Sequence, residues 1–342
     1  MAGPLPLSFV SGELDATIKN GTAAIVQWQN AALWQRMSWV RTPLAAPTFL
    51  STGHSPQAAE SILAHSSSSR LVRSALPRAS SALPPANSLA PSAPHLFVGT
   101  SGWAYPTWKP GFYPADVPAR SFLAYYASRL TAVEVNYTFR ALPSPAQLDG
   151  WLAATPPGFR FSFKAPQRIT HFARLRECES LVDSFVSSVE PSRIAGKLGP
   201  LVFQLPPNFA ADRDRLASFL ALPSLRTKTA PPIGFEFRHA SWFAEEIFAV
   251  LREHNAALCV AESDDLESPD VRTASFRCYR LRRSGGYVPA DLEKLAEKFA
   301  GLSREGEVFV FHKHEDEPTG ALNALQLQQR AAKLANQRGA SA

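Results

Sequence analysis

Cysteine is scarce in this chain of 342 residues. The three cysteines, Cys178, Cys259 and Cys278, are odd in number and have no metal-type spacing, which argues against a disulfide framework. Cys259 and Cys278 lie in apolar runs, so we predict that they are buried thiols. Free thiols fit a reducing compartment, and we expect a cytoplasmic protein.

Long apolar runs and familiar catalytic motifs are also missing. No run of about 18 apolar residues occurs, so a transmembrane helix is not supported. The chain has no P-loop, no GxSxG elbow and no nicotinamide fingerprint. Charged residues make up 19%, below the usual level of about a quarter, whereas the 29 prolines are many. Part of the chain is therefore expected to be unfolded or rich in loops.

The positive charge is modest and spread along the chain. Residues 1–94 carry six lysines and arginines against three acids, or +3 of the net +6, which leaves +3 for residues 95–342. A folded part at +3 is a weak signal for nucleic-acid binding. The balance is typical of a mildly basic soluble protein.

Residues 1–94 differ in composition from the rest. Residues 51–94 consist mainly of Ser, Ala, Pro and Leu with a single acid, Glu60. Such a stretch cannot bury enough apolar surface to offset its ordering entropy, so we predict disorder. Residues 23–37 show weak helical spacing that would allow a short helix.

The composition of this extension is compatible with three origins. Its middle is rich in Ser and Arg and poor in acids, as in an organelle transit peptide, but Glu13 and Asp15 argue against that reading. An upstream start codon chosen in error is another possibility. We favour a dispensable tail, followed by one domain at 95–337 and a flexible C-terminal tail at 338–342.

From His95 onward, short β-prone runs alternate with longer amphipathic stretches. The predicted strands are 96–100, 132–136, 159–164, 201–205, 233–238, 257–262, 276–281 and 308–312. The predicted helices are 119–129, 145–153, 179–194, 212–220, 243–254, 290–302 and 322–336, and only the sixth and seventh strands lack a clear helix between them. This alternation over about 240 residues predicts an α/β fold, a TIM-type (β/α) barrel of seven or eight parallel strands.

The main alternative is an open doubly wound sheet. Its dinucleotide-binding form carries GxGxxG in the first turn between strand and helix, whereas this chain has Gly99-Thr-Ser-Gly102 there. The mismatch favours the barrel.

Polar and apolar residues alternate along several predicted strands. In the third strand, alternate phenylalanines leave Arg160, Ser162 and Lys164 on the other face. The helix layer of a barrel requires the apolar face, so the polar face should point inward, near the strand C-termini where barrel active sites lie. The side chains gathered at this mouth are predicted to be Glu134, Asn136, Lys164, Gln204, Glu236, Arg238 and Arg280. Alternatively, some of these charges pair in a structural network that fills the barrel.

A series of motifs follows in order along this part of the chain. They are GTSGWAYPTW (99–108), FYP (112–114), VEVNYTF (133–139), LPSP (142–145), FRFSFKA (159–165), ITH (169–171) with RL (174–175), LGPLVFQLPPNF (198–209), and FEFRH (235–239) with SW (241–242). Over about residues 96–335 they resemble the YecE-like family, domain of unknown function 72. The resemblance implies a TIM-type barrel and a soluble bacterial-style protein, with no established activity and no catalytic residues to transfer.

Two segments depart from the commonest pattern of that family. Arg280-Leu-Arg-Arg283 stands where many members have Arg-Leu-His-Gly, and Phe311-His-Lys-His-Glu-Asp316 stands where many have Phe-Asn-Asn. Whatever these segments do in most members does not transfer directly to this chain.

The clearest chemical constellation is Glu236, Arg238 and His239, a carboxylate, a guanidinium and an imidazole within four positions. A carboxylate beside a cation keeps a low pKa and serves as nucleophile, base or metal ligand. Arg238 can instead bind a carboxylate or phosphate of a substrate. The alternative is a Glu–Arg pair buried in the barrel. His239 opposes that face and is expected to orient a neighbour.

Glu134 and Glu236 are the predicted catalytic acid/base pair, as in glycoside hydrolysis. His171, in the loop after the third strand, is the auxiliary catalytic candidate, although a lone loop histidine is more often simply solvated.

Aromatic and histidine side chains offer two further readings. Trp103, Trp108 and Trp242 would suit stacking on a sugar or base, but we expect two of the three to be packing residues and keep Trp103 as the binding candidate. His312, His314 and Asp316, together with Glu134, Glu236 and Asp264, allow a divalent-metal site. No cofactor is identified, and metal binding is the less favoured reading.

A mouth lined by Lys164, Arg238, Arg280, Arg282 and Lys313 would be electropositive and would favour an anionic ligand. The first hypothesis is an enzyme, an acid/base hydrolase or isomerase, that binds a small phosphate or carboxylate compound. Lys164 and Arg238 would form its anion clamp, helped by Asn136, Gln204 and Arg280. The alternative is a non-catalytic binding module for nucleic acid or a protein partner, with a basic, aromatic groove. No membrane partner is expected, and oligomeric state, substrate and reaction stay open.

Overall fold

The computed structural model describes residues 93, 95–227, 229–262, 266–313 and 316–339. The predictions for the N-terminal extension, namely disorder, a short helix and its origin, lie outside the described residues. So do Asp264 and His314, two of the residues considered for a metal site.

Eight parallel strands form the sheet. They are β1 (Leu96–Thr100), β2 (Ala132–Val135), β3 (Arg160–Lys164), β4 (Leu198–Gln204), β5 (Ile233–Glu236), β6 (Ala257–Glu262), β7 (Arg277–Leu281) and β8 (Val308–His312), in the order β1-β8-β7-β6-β5-β4-β3-β2. The edge strands β1 and β2 meet through one parallel bridge, Ser101 to Glu134, and the Gly102 amide donates to the Glu134 carbonyl at 2.9 Å. The sheet is therefore nearly closed into the predicted TIM-type barrel.

Helices alternate with the strands. They are α1 (Phe122–Ala127), α2 (Pro145–Ala153), α3 (Glu179–Ile194), α4 (Arg213–Leu220), α5 (Glu245–Glu253), α6 (Pro289–Leu302) and α7 (Thr319–Gly339). As predicted, residues 266–276 between β6 and β7 contain no helix. Among the described residues, no helix combines the length and apolar character needed to cross a membrane.

Local sequence explains where several helices begin. The Ser144 hydroxyl accepts from the Gln147 amide at 3.2 Å and Pro145 occupies the first position of α2, a favoured start. The Asp212 carboxylate accepts from the Arg215 amide at 3.0 Å and caps α4. These caps account for the starts of α2 and α4, which agree with the prediction to within one residue.

Several boundaries differ from the prediction, and those of β4 and α7 differ by three residues. β4 begins at Leu198 instead of 201, although Pro200 has no amide hydrogen to donate to a ladder. A register shift between Phe161 and Phe163 accommodates it, and the Ser162 hydroxyl donates to the Pro200 carbonyl at 2.5 Å. At the other end, α7 continues to Gly339, so the first two residues of the predicted flexible tail are helical.

The predicted division of the strands into two faces is confirmed. Phe161, Phe163 and Phe203 belong to the large core shared with the helices. A second apolar cluster contains Ala132, Val202, Ala257, Cys259, Ala274, Phe276, Cys278, Phe309 and Phe311. Three of its members, Ala132 on β2, Val202 on β4 and Cys278 on β7, each lie two residues before a polar residue of the same strand, namely Glu134, Gln204 and Arg280. Residues two apart on a strand share a face, so an apolar layer fills the barrel on the N-terminal side of the polar layer.

Candidate functional site

Arg280 lies at the centre of the polar layer. It is fully buried near the end of β7, and one terminal nitrogen donates to Glu134 on β2 while the other donates to Glu236 on β5. The planar fork of a guanidinium suits this double contact. The structure thus joins the two predicted catalytic carboxylates through one cation.

The second oxygen of Glu236 is also engaged. Gln204 Nε2 donates to Oε1 at 2.7 Å, and Arg238 Nε donates to the same oxygen at 2.6 Å. Gln204 reaches it because β4 and β5 pair Gln204 directly with Glu236. Glu236 therefore accepts hydrogen bonds from three side chains, and both of its carboxylate oxygens are occupied.

Glu134 is less completely bonded. The Ser101 hydroxyl donates to Oε1 at 2.9 Å, and an Arg282 nitrogen lies 3.8 Å from the same oxygen. Oε2 is buried and has no hydrogen-bond partner among the described residues. Sequence reasoning did not single out Ser101. The signal for it was the Gly99–Gly102 turn, which brings the end of β1 against β2.

Burial alone raises the pKa of the Glu134 carboxyl, but the charges of Arg280 and Arg282 outweigh it and hold the pKa below its usual value. Burial likewise raises the pKa of Glu236, and Arg280 and Arg238 more than offset it, which leaves that pKa well below normal. Both carboxyls are therefore ionised at neutral pH.

Positive charge exceeds negative charge in this layer. Arg238, Arg280 and Arg282 face the two carboxylates, and Arg280 alone occupies an oxygen of each. The side chain of Arg238 is 29% exposed and that of Arg282 is 16% exposed, whereas Arg280 is closed off from solvent. Of these three arginines, Arg238 and Arg282 are thus the ones that solvent reaches.

Lys164 adds an amine to this layer at the end of β3. Its backbone carbonyl accepts from the Thr138 hydroxyl at 2.7 Å, which holds the strand end against the loop after β2. Its amine lies 4.2 Å from the centre of the Phe139 ring. Burial and then the charge of Arg280 lower the pKa of Lys164 to about 7.

His171 borders the same aromatic ring. It lies in a π-helical turn, Arg168–Phe172, and its ring packs edge-on against Phe139 with centroids 5.1 Å apart. Nδ1 is 2.9 Å from the Thr170 hydroxyl. Burial and then the charge of Lys164 lower the pKa of His171, which favours the neutral imidazole at pH 7. Phe139 was not among the predicted site residues, yet it connects Lys164 to His171.

Several buried polar atoms of the polar layer lack hydrogen-bond partners among the described residues. They are Glu134 Oε2, Asn136 Oδ1, Arg280 Nε and Arg282 Nε. Buried polar atoms are normally bonded, so a polar ligand or ordered water would bond at these positions. Because they include both donors and acceptors, they suit a ligand with both kinds of group.

Other predicted residues have structural partners. His239 Nδ1 accepts from the Ser241 amide at 3.2 Å and caps the short helix Ala240–Trp242. Trp108 and Trp242 are fully buried, and Trp242 Nε1 donates to the Phe209 carbonyl at 2.7 Å. Trp103 is 9% exposed and packs edge-on against another indole, so its role in binding stays a prediction.

His312 does not join the carboxylates at the mouth. It shares its strand face with Val308 and Val310, which pack in the helix-side core, and its ring contacts Tyr287 with centroids 5.6 Å apart. Within the described ranges, no group of three or more His, Cys, Asp or Glu side chains is arranged to hold a metal ion.

A cleft of about 520 Å³ opens at the opposite end of the barrel. It lies between segments that precede β5, β6, β7 and β8, including Pro231, Asn255, Ser275 and Glu307. None of the predicted site residues lines it.

Comparisons with known proteins agree with this architecture. Residues 97–341 match the family described as "Protein of unknown function DUF72". The UPF0759 protein YecE of Escherichia coli is 34% identical over 151 residues, covering 44% of this chain and 51% of that protein. The UPF0759 protein YunF of Bacillus subtilis is 27% identical over 157 residues, covering 45% of this chain and 54% of that protein. The aligned part thus spans about half the length of these curated relatives.

Solved structures of the same family share the barrel. A DUF72 family protein from Thermotoga maritima superimposes with a TM-score of 0.59 at 26% identity, covering 68% of this chain and 98% of that one. A second DUF72 family protein, from Enterococcus faecalis, superimposes with a TM-score of 0.57 at 20% identity, covering 69% of this chain and 95% of that one. At this identity the likeness supports the fold alone. Because the family match extends over more than half of the sequence and in register with the barrel, the chain belongs to the DUF72, or YecE-like, family.

Proposed function

We propose that this protein binds a small molecule with a phosphate or carboxylate group at the C-terminal mouth of the barrel. The observation that carries the proposal is the excess of positive charge in the polar layer. Among the described residues, three arginines, Arg238, Arg280 and Arg282, face only two carboxylates, those of Glu134 and Glu236. An anion would supply the missing charge through short, charge-assisted hydrogen bonds.

The three arginines have different roles in the proposed site. Arg280 is fully buried and holds Glu134 and Glu236 in place, so it organises the site without reaching the ligand. Arg238 is oriented by Glu236 and remains partly exposed. Arg282 has a buried Nε without a partner among the described residues. Arg238 and Arg282 are therefore the proposed anion-binding pair.

Acid/base chemistry at this site would use the groups that titrate near neutral pH. The lowered pKa values of Glu134 and Glu236 make both carboxyls poor proton donors there. Glu134, through its free Oε2, remains a candidate base. Lys164 and His171, whose pKa values are lowered towards or below neutrality, are better placed to exchange protons.

Inorganic phosphate provides a direct test. We expect phosphate to raise the thermal unfolding temperature of the wild type more than sodium chloride does at equal ionic strength. Arg238→Gln and Arg282→Gln should each weaken phosphate binding roughly tenfold, as expected for the loss of a charged hydrogen bond. Arg252→Gln is the matched control, because Arg252 pairs with Glu245 on the outer surface.

Two results would contradict the proposal. If phosphate and carboxylate anions stabilise the wild type no more than chloride does, the proposed anion site loses its support. Tight binding of a single-stranded oligonucleotide, with a steep dependence on salt and no competition by phosphate, would favour the nucleic-acid alternative.

A further inference from the structure

Lys164 differs from the arginines around it in having no carboxylate partner. Each of Arg238, Arg280 and Arg282 lies within 4.0 Å of a carboxylate oxygen of Glu134 or Glu236. For the Lys164 amine, the described residues provide neither an ion pair nor a hydrogen bond, and its close contact is the face of Phe139. The amine is thus buried, at 7% exposure for the residue, without the partners that an ammonium group normally has.

This environment favours the neutral amine. An aromatic face compensates only in part for the lost hydration of an ammonium, and the nearby guanidinium of Arg280 opposes a further positive charge. The pKa of about 7 that results leaves a large neutral fraction at physiological pH. A neutral amine has a free lone pair, which a charged lysine lacks.

We propose that Lys164 is a nucleophile that forms an imine with the carbonyl carbon of an anionic ligand, such as a 2-oxo acid or a phosphorylated aldehyde or ketone. This rests on the proposed function, because Arg238 and Arg282 would hold the anionic group while the carbonyl faces the amine. The location fits, since Lys164 ends strand β3 at the mouth where barrel enzymes place their reactive groups.

The step balances without an oxidant or reductant. The Lys164 nitrogen forms a bond to the carbonyl carbon, the carbonyl π electrons move to oxygen, and one proton passes from nitrogen to that oxygen to give a carbinolamine. The nitrogen lone pair then forms the C=N bond as the hydroxyl takes up a proton and leaves as water. The remaining proton of the former amine is lost, or stays on nitrogen as the iminium. One carbonyl and one amine thus give one imine and one water.

We assign these proton transfers to His171, which contacts the same Phe139 ring as the Lys164 amine. The Thr170 hydroxyl oxygen lies 3.2 Å from the Pro166 carbonyl oxygen and 2.9 Å from His171 Nδ1. Because the hydroxyl has one proton, it can donate to only one of these two atoms. When it donates to the carbonyl, Nδ1 carries the imidazole proton and donates to the hydroxyl, which leaves Nε2 as an acceptor. The iminium would be stabilised by the charges of Glu236 and Glu134, which act on Lys164.

Reductive trapping separates this proposal from simple anion binding. The full chain would be treated with substoichiometric pyridoxal 5′-phosphate or with pyridoxal, which lacks the phosphate, then reduced with sodium borohydride and mapped by peptide mass spectrometry. We expect the pyridoxal 5′-phosphate label on Lys164, and inorganic phosphate should slow its incorporation. Half-maximal labelling should occur near pH 7, the pKa of this amine, whereas an ordinary lysine requires about pH 10.4.

Matched variants complete the test. Lys164→Met should remove the label, while Lys294→Met, which changes an exposed lysine, should leave it intact. Arg238→Gln should reduce labelling by pyridoxal 5′-phosphate roughly tenfold, as expected for the loss of a charged hydrogen bond, and leave labelling by pyridoxal unchanged. If Lys164→Met does not fold, the pH profile and phosphate competition in the wild type decide the question.

The outcomes are distinct. A label spread over exposed lysines, with phosphate still stabilising the protein, would overturn the imine proposal and leave the anion site standing. Labelling of Lys164 at the same rate by both probes, unaffected by phosphate, would keep a reactive lysine but contradict an anionic substrate. No label on Lys164 and no stabilisation by phosphate would overturn both proposals.

Discussion

The guanidinium of Arg280 donates to the carboxylate of Glu236 inside the barrel, and neither side chain is exposed to solvent. Removing two charges from water is costly, so such a pair is stable only when other groups complete its hydrogen bonds. Gln204 and Arg238 do so for Glu236, and Glu134 does so for Arg280. The polar layer therefore behaves as one unit.

Replacing Arg280 should destabilise this unit strongly. Arg280→Met leaves two buried carboxylates without their shared cation, and we expect the free energy of unfolding to fall by about 3–5 kcal/mol. Urea-induced unfolding at pH 7 measures it. Adding Glu134→Gln and Glu236→Gln to the same variant should recover part of the loss, since no unpaired charge remains. A loss no greater than that of Arg252→Met, at an exposed pair, would show that the network contributes little.

Barrel closure between β1 and β2 depends on Gly99. A β-carbon there would lie 1.9 Å from the Ala132 carbonyl oxygen, so Gly99→Ala must push the two strands apart. We expect a loss of at least about 2 kcal/mol in unfolding free energy. Gly150→Ala is the control, because this helical position has no neighbouring atom within 4 Å, and it should stabilise the protein by roughly 0.5–1 kcal/mol. Equal effects of the two changes would refute the close approach.

His312 should make the protein sensitive to acid. Burial lowers the pKa of His312 from 6.5 to about 3, so between these values the unfolded chain binds a proton that the folded chain does not. The contribution of the neutral His312 to the free energy of unfolding is therefore complete above pH 6.5 and declines as the pH falls towards 3. Between pH 7 and 5, the wild type should lose about 2 kcal/mol more than His312→Phe, at about 1.4 kcal/mol per pKa unit. Parallel stability curves over this range would contradict the burial of a neutral imidazole.

The cysteines should be inert in the folded protein. Cys178, Cys259 and Cys278 are all buried, and burial raises the pKa of Cys178 to about 11 and that of Cys259 well above its usual value. Because the thiolate is the reactive form, an aromatic disulfide reagent should react slowly with native protein and with three thiols after denaturation. Cys178→Ser should reduce the denatured count to two. Rapid reaction of a native thiol would show that one of these sites opens readily.

Local patterns in the sequence were sufficient for much of the fold. The bounds of β1, β6 and β8 and of α2 and α3 agree with the prediction to the residue. The inward face was also predicted correctly, because alternation along a strand is a property of the local backbone. Sequence alone placed Glu134, Lys164, Glu236 and Arg280 at one end of the barrel.

The tertiary structure decided which of these groups meet. Glu134 and Arg280 are 146 residues apart, and Glu236 and Arg280 are 44 apart, so their pairing depends on strand order, register and closure of the barrel. The tertiary structure also separates His312 from the carboxylates, because their side chains lie on opposite faces of the sheet. The lowered pKa of Lys164 depends on this arrangement as well, first through burial and then through the charge of Arg280. Arg280 occupies an oxygen of each carboxylate, so the charge available to Lys164 is set by contacts between strands that are distant in sequence.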